Sequence, residues 1–465
     1  MNFIKTSCIR IPLIYEPEHW YQNIIKDLTR SGSSYEDPSV KVTSIFYEIR
    51  DGHLWIPRFY PVETFGHKTI DYCPDGDTLP NYIEFQTKWR NDLQFQSFKM
   101  MTSETRGVLK LKPGEGKTVI TIGAICQLRR KSIIYVHKDS LLTQWKERFL
   151  EHCTIKEDDI GIMSTADRFD VLQKPIVLST VQTMNSMIDR VSDIEKIMAD
   201  AHFGIAVWDE CHTTSGAEKF SRSALFTPAK RVFGLSATPG RADHNHDIIW
   251  YHLGQVFEPE GISDTMKPRV VMLYFDHKAV ALYKKYIYWG PPTKDGSYKL
   301  NYPKFDTPRY LAMLTGKRND AYIPMLRKIV RKVYDSNRTT LFISDRIKVL
   351  DLCASAIPNQ NDVGFFIPRS GDNRDSDLKK KFVFSTPGSS RDGTDRPEFD
   401  CLILANRIAN IEQAVGRICR SKPNKQEPVV MDIVDSGCED LMSSAAWRKK
   451  FYEEKGWKVD EKFLK

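Results

Sequence analysis

Lys117 and Thr118 stand directly behind Gly114 and Gly116 in the stretch GVLKLKPGEGKTVITIGAI, residues 107–125. The runs on either side are apolar, yet the chain sets its most pliable residues and a cation between them. A strand, a loop from Lys112 to Gly116 and a helix from Lys117 resolve the conflict. Glycines let backbone N–H groups turn inward, and a helix start adds unpaired amides and the positive end of its dipole. Pro113, Gly114, Glu115 and Gly116 then form a cradle for nucleotide phosphates. Lys117 reaches the β- and γ-phosphates, and the Thr118 hydroxyl is placed to ligate Mg²⁺. Leu111 fills the first position of the pattern, where glycine or another small residue is usual.

Three further groups complete a chemistry. In IAVWDECH, residues 205–212, an apolar strand delivers Asp209 and Glu210 at its C-terminal end, where α/β proteins bind ligands. Asp209 is expected to hold Mg²⁺, and Glu210 to orient and deprotonate an attacking water. In GLSATPGR, residues 234–241, Ser236 and Thr238 leave another strand with hydroxyls that can bond the acidic strand end and relay its state. In EQAVGRICR, Gln413, Arg417 and Arg420 have the spacing i, i+4, i+7, one face of a helix. Two arginines on one face fit fingers for a γ-phosphate.

These residues need a scaffold. With 465 residues, the chain fits two to four domains. Hydrophobic residues at 41% and charged residues at 28% exclude the disordered class. No apolar run approaches the ~18 residues of a membrane span, and the start, broken by Arg10, Pro12 and Glu16, does not read as a signal peptide. Nine scattered cysteines without a C-x-x-C pair point to reduced thiols and an intracellular, cytoplasmic site. The formal net charge of +8 suits a polyanion partner without establishing one.

From about Asn91, short apolar runs (GVLKL, SIIYVH, PIVLST, GIAVWDE, RVFGLSAT) alternate with helix-length amphipathic stretches. After about Arg331 a second series follows: RTTLFIS, DVGFFIP, KFVFST, DCLILAN and PVVMDIV. Strands separated by helices imply parallel sheets covered on both faces. The expected architecture is α/β, with two tandem parallel-sheet domains behind a small N-terminal α+β domain. Its boundaries are 1–88 for the N-terminal domain, 89–256 for the first α/β domain and 257–330 for a connecting segment. Residues 331–438 form the second α/β domain and 439–465 a closing helix.

In this order, KPGEGKT, DECH, SAT and QAVGRICR resemble superfamily 2 helicases and translocases over residues ~90–435. The flavour is similar to UvsW-type branch-migration helicases, with XPB as a relative. The resemblance implies two RecA-like domains with ATP and Mg²⁺ in the cleft between them, and His212 coupling that site to the second domain. It implies an adenine-reading glutamine at Gln96, 21 residues before Lys117, with Gln94 as the rival. Lys138 in VHKDSLLTQW and Thr180 in STVQTM fall in motifs that contact nucleic acid. So does Thr386 in FSTPGSSRDGTD, where Gly393 and Asp395 match a glycine-x-aspartate tied to the nucleotide.

Residues 284–310, with six cations, two acids and seven aromatics including Trp289, suit backbone contact and base stacking at a strand junction. An equal reading is a loop pinned by aromatic packing. The function so implied is an ATP-driven, monomeric DNA helicase acting on forked or four-way DNA, alongside replication or recombination proteins and in the host cytoplasm if viral. The alternatives are an RNA helicase, a duplex translocase subunit of a nuclease or restriction complex, and an ATPase-silent scaffold.

Overall fold

The computed structural model describes residues 2–13, 20–33, 41–164, 169–212, 217–239, 246–261, 265–276, 307–316, 321–368, 370, 374–391, 396–408 and 411–464. Trp289, Gly393 and Asp395 lie outside the described residues. The chain divides into two compact units, Met1–Ser263 and Asp264–Lys465.

The N-terminal part of the first unit contains β1 (Asn2–Lys5), β2 (Cys8–Pro12), β3 (Thr29–Ser33), β4 (Lys41–Ile45), β5 (Glu48–Arg50), β6 (His53–Pro57) and β7 (Lys68–Asp71). Among the described residues β3 and β4 form a ribbon, and the rest a sheet of order β5-β6-β2-β1-β7. Period-two alternation divides its side chains between two faces. Phe3, Ile9, Ile11, Leu54 and Ile56 build the small domain's own core. Cys8 and Trp55, on the opposite face, join the core of the α/β sheet that follows.

This domain is therefore fastened to its neighbour. Arg58, 3% exposed, donates to the Ala229 carbonyl at 2.5 Å and pairs with Asp71 at 3.1 Å. Ser7 Oγ donates to the Leu225 carbonyl at 2.5 Å, and the Trp55 ring lies 5.3 Å from that of Phe226. The aromatic and basic run HLWIPRFYP is thus mostly interior: Trp55, Arg58 and Tyr60 are all buried. Residues 77–86 then run along the α/β layer, bonding His202, Arg129 and His152 through the backbone.

The α/β part of the first unit carries β8 (Arg106–Lys110), β9 (Ser132–Val136), β10 (Ile160–Ile162), β11 (Ile176–Thr180), β12 (Ile205–Asp209), β13 (Arg231–Ser236) and β14 (Val256–Phe257). The second unit carries β15 (Arg269–Phe275), β16 (Thr340–Ile343), β17 (Val363–Phe366), β18 (Phe382–Ser385), β19 (Cys401–Leu404), β20 (Val429–Asp435) and β21 (Lys458–Phe463). Among the described residues the sheet orders are β10-β11-β9-β12-β13-β8-β14 and β17-β18-β16-β19-β20-β15-β21. All pairings within both sheets are parallel. Counting strands from one in each unit, both orders read 3-4-2-5-6-1-7. These are two RecA-like sheets of one topology.

Two boundaries differ from the sequence reading. β15, helix Thr307–Leu314 and the first nine residues of helix Tyr322–Asp335, assigned to a connecting segment, belong to the second unit, where Tyr310, Leu326 and Val330 are core. The tail is helix Glu439–Glu454 followed by an edge strand, β21. A fully buried, bidentate ion pair holds that helix down. Arg448 Nε meets Asp432 Oδ2 at 2.8 Å, and Tyr452 OH donates to the same oxygen at 3.0 Å.

His252, 2% exposed near the end of helix His246–Leu253, bonds Ser221 Oγ at 2.7 Å. Burial brings its pKa down to about 3. The folded form keeps it neutral, while the unfolded chain protonates it below about pH 6.5. Its stabilising contribution is whole above that value and is lost as pH falls towards 3. The expected slope is about 1.4 kcal/mol per pH unit in that window. In urea unfolding, the stability gap between wild type and His252→Gln should shrink by roughly 2 kcal/mol from about pH 7 to about pH 5. A gap independent of pH refutes the assignment.

Candidate active site

Three neighbouring strands, β12, β13 and β8, end side by side, and their C-terminal exits carry DECH, SAT and the glycine loop respectively. Parallel strands make this inevitable, since every such exit lies at the same edge of the sheet. Leu111, the unexpected residue at the loop entrance, is 4% exposed in the core, and its N–H bonds the Ser236 carbonyl at 3.1 Å. It prolongs the β8–β13 pairing by one residue and so needs no small side chain.

The loop closes on itself. Glu115, 3% exposed, accepts the Lys112 N–H at 2.8 Å, and Arg90 donates to the Gly114 carbonyl at 3.1 Å. Gly116 caps helix Lys117–Leu128 in the left-handed region, φ 91°. The backbone there favours glycine, and a Cβ would stand 2.3 Å from Gln94 Nε2 and displace that amide. Thr118 follows in the first turn, half-buried. Lys117 is nearly enclosed: its Nζ donates to the Leu111 carbonyl at 3.2 Å and lies 3.9 Å from Glu210 Oε1.

At the end of β12, Asp209 Oδ2 accepts the indole N–H of Trp145 at 2.9 Å, and its Oδ1 accepts the Glu210 N–H at 2.9 Å. Burial, then the Glu210 charge, raises the Asp209 pKa; the Trp145 bond, Lys117 and His137 oppose the rise. Glu210 itself adopts φ 47°, a conformation non-glycine residues seldom take. That turn lets the next residue rejoin the sheet, the Cys211 N–H bonding the Leu235 carbonyl at 3.2 Å. The Glu210 carboxylate meanwhile lies between Lys117 and His212, with Nδ1 of the latter 3.5 Å from Oε2. Such strain concentrates at working sites.

His212 reaches the SAT strand through both ring nitrogens. Its Nδ1 bonds Ser236 Oγ at 2.7 Å and its Nε2 bonds Thr238 Oγ1 at 3.3 Å, while the Thr238 N–H donates to Ser236 Oγ at 3.0 Å. A continuous polar path thus runs from Lys117 through Glu210 and His212 to Ser236 and Thr238. Asp209 and Thr118 supply hard oxygen donors of the kind Mg²⁺ takes alongside phosphates and water. Among the described residues there is no cluster of three or more His, Cys, Asp or Glu side chains able to hold a metal alone.

Several expectations need correction. Gln96 points away from the loop and donates to Asp92 at 3.0 Å on its own helix. Gln94, two residues earlier and buried, donates to the Glu115 carbonyl at 3.1 Å and accepts the Arg90 N–H at 2.9 Å. Capping explains the choice: Asn91 caps helix Asp92–Ser103 by accepting the Gln94 N–H, fixing which face meets the loop. Gln413, Arg417 and Arg420 do not share a helix face either. The helix Ile411–Gly416 ends at the glycine, and Ile418 and Cys419 donate instead to carbonyls three residues back, Val415 at 3.0 Å and Gly416 at 3.4 Å. Burial of both Ile418 and Cys419 forces this tightening, and Arg417 and Arg420 flank them half-buried.

Of the residues expected to meet nucleic acid, Lys138 is exposed at the start of helix Asp139–His152. Thr180 is buried, and its hydroxyl caps helix Val181–Arg190 by accepting the Thr183 N–H at 3.0 Å. Thr386 plays the same part in the second unit, bonding Ser389 Oγ at 3.1 Å. Each threonine sits at the end of the fourth strand of its sheet. Trp145 and Arg90 were missed by sequence reasoning, since neither carries a spacing signal of its own.

The family described as "Type III restriction enzyme, res subunit" matches residues 80–241. The chain is 25% identical to "Putative ATP-dependent RNA helicase L396" of Acanthamoeba polyphaga mimivirus, across 100% of this chain and 88% of that protein. It is 26% identical to the "General transcription and DNA repair factor IIH helicase/translocase subunit XPB" of Schizosaccharomyces pombe, across 57% of this chain and 34% of that protein. The solved structure of T4 UvsW aligns with 100% of this chain and 99% of that one, at 16% identity and a TM-score of 0.38.

The two glutamines can be told apart by nucleotide selection. Gln94→Ala should lower the preference for ATP over other triphosphates roughly tenfold, the worth of one good hydrogen bond, and Gln96→Ala should leave it unchanged. Competition binding with ATP and GTP reads this out, and the reverse result returns the role to Gln96.

Proposed function

The chain is an ATP-dependent helicase of superfamily 2, related to XPB and to viral helicases, and on that premise we propose that it unwinds or branch-migrates forked and four-way DNA in replication, recombination or repair. The observation that carries the motor part is the polar path from Lys117 through Glu210 and His212 to Ser236 and Thr238, ionic contacts in its first half and hydrogen bonds in its second. It links the γ-phosphate end of the site to the exit of β13. The small N-terminal domain supports the DNA part. Fastened to the first sheet by Arg58 and Ser7, it moves with the motor and can hold duplex at a junction.

The residue roles follow from their surroundings. Lys117 neutralises the β- and γ-phosphates, exchanging its Leu111 and Glu210 partners for phosphate oxygens. Glu210 orients the attacking water and takes its proton. Mg²⁺, held through Asp209 and Thr118, would offset charge on the phosphates. From the second unit, Arg417 and Arg420 stabilise the charge that develops on the transferred phosphoryl group, and Gln413 assists them. Lys138 and the helix ends capped by Thr180 and Thr386 meet the sugar-phosphate backbone.

A second reading, an RNA helicase, has one specific observation in its favour: the mimivirus relative aligned along the whole chain carries that description. ATP turnover measured without nucleic acid, then with single-stranded DNA, duplex DNA, a four-way DNA junction and RNA, separates the two. Junction DNA is expected to stimulate most, and strongest stimulation by RNA overturns the DNA reading. Lys117→Ala should weaken nucleotide binding. Glu210→Gln should bind ATP but not hydrolyse it, and normal turnover by that variant removes Glu210 from the base role. Arg420→Ala should slow hydrolysis by about 10³-fold if it is the finger.

A further inference from the structure

The segment bearing the second unit's arginines is held by its backbone. The Cys419 carbonyl accepts the Met266 N–H at 2.7 Å, so the first residues of the second unit are bonded one residue short of Arg420. The Arg420 carbonyl accepts from Lys425 Nζ at 2.7 Å, and the same ammonium donates to the Pro397 carbonyl at 2.8 Å. Ile418 and Cys419 are packed in the core between them. Two consecutive carbonyls and two consecutive side chains are thereby fixed, and with them the backbone from which the Arg420 side chain departs.

Lys425 is half-buried, and burial, helped by the Arg420 charge, outweighs Cys419, Asp400 and Glu398 to bring its pKa down to about 8. An ammonium drawn out of water is costly unless its donors are matched, and two carbonyls match two of its three. Lys422, three residues earlier, instead pairs with exposed Glu398. Surface contacts of that kind contribute little, whereas the Lys425 bonds fall on the main chain of a residue whose direction matters. An arginine finger must be held within about 0.5 Å and 10–20° of its working position.

We infer that Lys425 is a positioning residue: through the Arg420 carbonyl it sets where that guanidinium points, without touching the nucleotide. The inference rests on the reading of Arg420 as a finger, and the test keeps the two apart. Steady-state ATP turnover of the full chain, at saturating nucleic acid, is compared for wild type, Lys425→Met, Lys425→Arg, Arg420→Ala and the Lys425→Met/Arg420→Ala double variant. Lys425→Met should lower kcat roughly tenfold, with KM for ATP within about twofold, and Lys425→Arg, which keeps charge and donors, should recover most of the loss. In the Arg420→Ala background, Lys425→Met should cost less than about twofold more, because the two act in one unit.

An unchanged kcat in Lys425→Met overturns the proposal, as does the same tenfold loss in both backgrounds. A rise in KM without a fall in kcat also counts against it. If Arg420→Ala hydrolyses ATP at the wild-type rate, the finger reading falls and this inference falls with it. Should Lys425→Met melt below the assay temperature, all five proteins are assayed at a temperature below that melting point, with the same outcomes.

Discussion

Charges that are mostly taken out of water must answer one another, and in the first unit that requirement organises everything near the sheet edge. Lys117 and Glu210 are both largely enclosed, at 10% and 19% side-chain exposure. Left without partners, either would cost several kcal/mol. Each is met by neighbours at the sheet edge: Lys117 by the Leu111 carbonyl, Glu210 by the lysine and by His212. The left-handed turn at Glu210 is the backbone's share of this arrangement, because an ordinary strand end would aim the carboxylate elsewhere. A nucleotide entering the loop need not create a charged site, only exchange partners within one.

The repeated strand order shows how one scaffold supports unequal edges. In the first sheet the exits of strands one, five and six carry the phosphate loop, the acids and the hydroxyls. In the second sheet the corresponding exits surround a cavity of only about 20 Å³, lined by Phe275, Tyr310, Tyr322, Ala405 and Asp435. Tyr310 donates to Asp435 and Tyr322 to the Ala405 carbonyl, so side chains fill the place that the glycine loop and the acids border in the first sheet. The second sheet keeps the architecture and gives up the pocket. Arg417 and Arg420 lie instead in the segment after strand five.

Much of this was legible in the sequence because apolar runs bounded by polar residues report burial directly. Each run quoted as a strand, from GVLKL to PVVMDIV, lies in a strand of the two sheets. β15 was passed over although RVVMLYF is as apolar as any of them, since the distance to the next strand breaks the alternation. β21, KVDEKF, is an exposed edge strand with no apolar pattern to read. Gln94 and Gln96 cannot be separated by spacing alone, because the side-chain face depends on where Asn91 caps the helix. The i, i+4, i+7 pattern of EQAVGRICR promised a helix face, but two adjacent buried residues, Ile418 and Cys419, broke it. Trp145 was invisible, since an indole that orients a carboxylate looks like any core tryptophan before the fold is known.

The position of β15 carries a cost during synthesis. Its partners are β20 on one side and β21 on the other, both made more than 150 residues after it leaves the ribosome. At roughly 5–20 residues per second, this seven-residue apolar ribbon waits about ten seconds or longer with both edges bare. Unpaired strand edges recruit other strands. The nascent second unit therefore holds an unpaired apolar strand until β20 emerges, and slower translation between β15 and β20 would lengthen that interval.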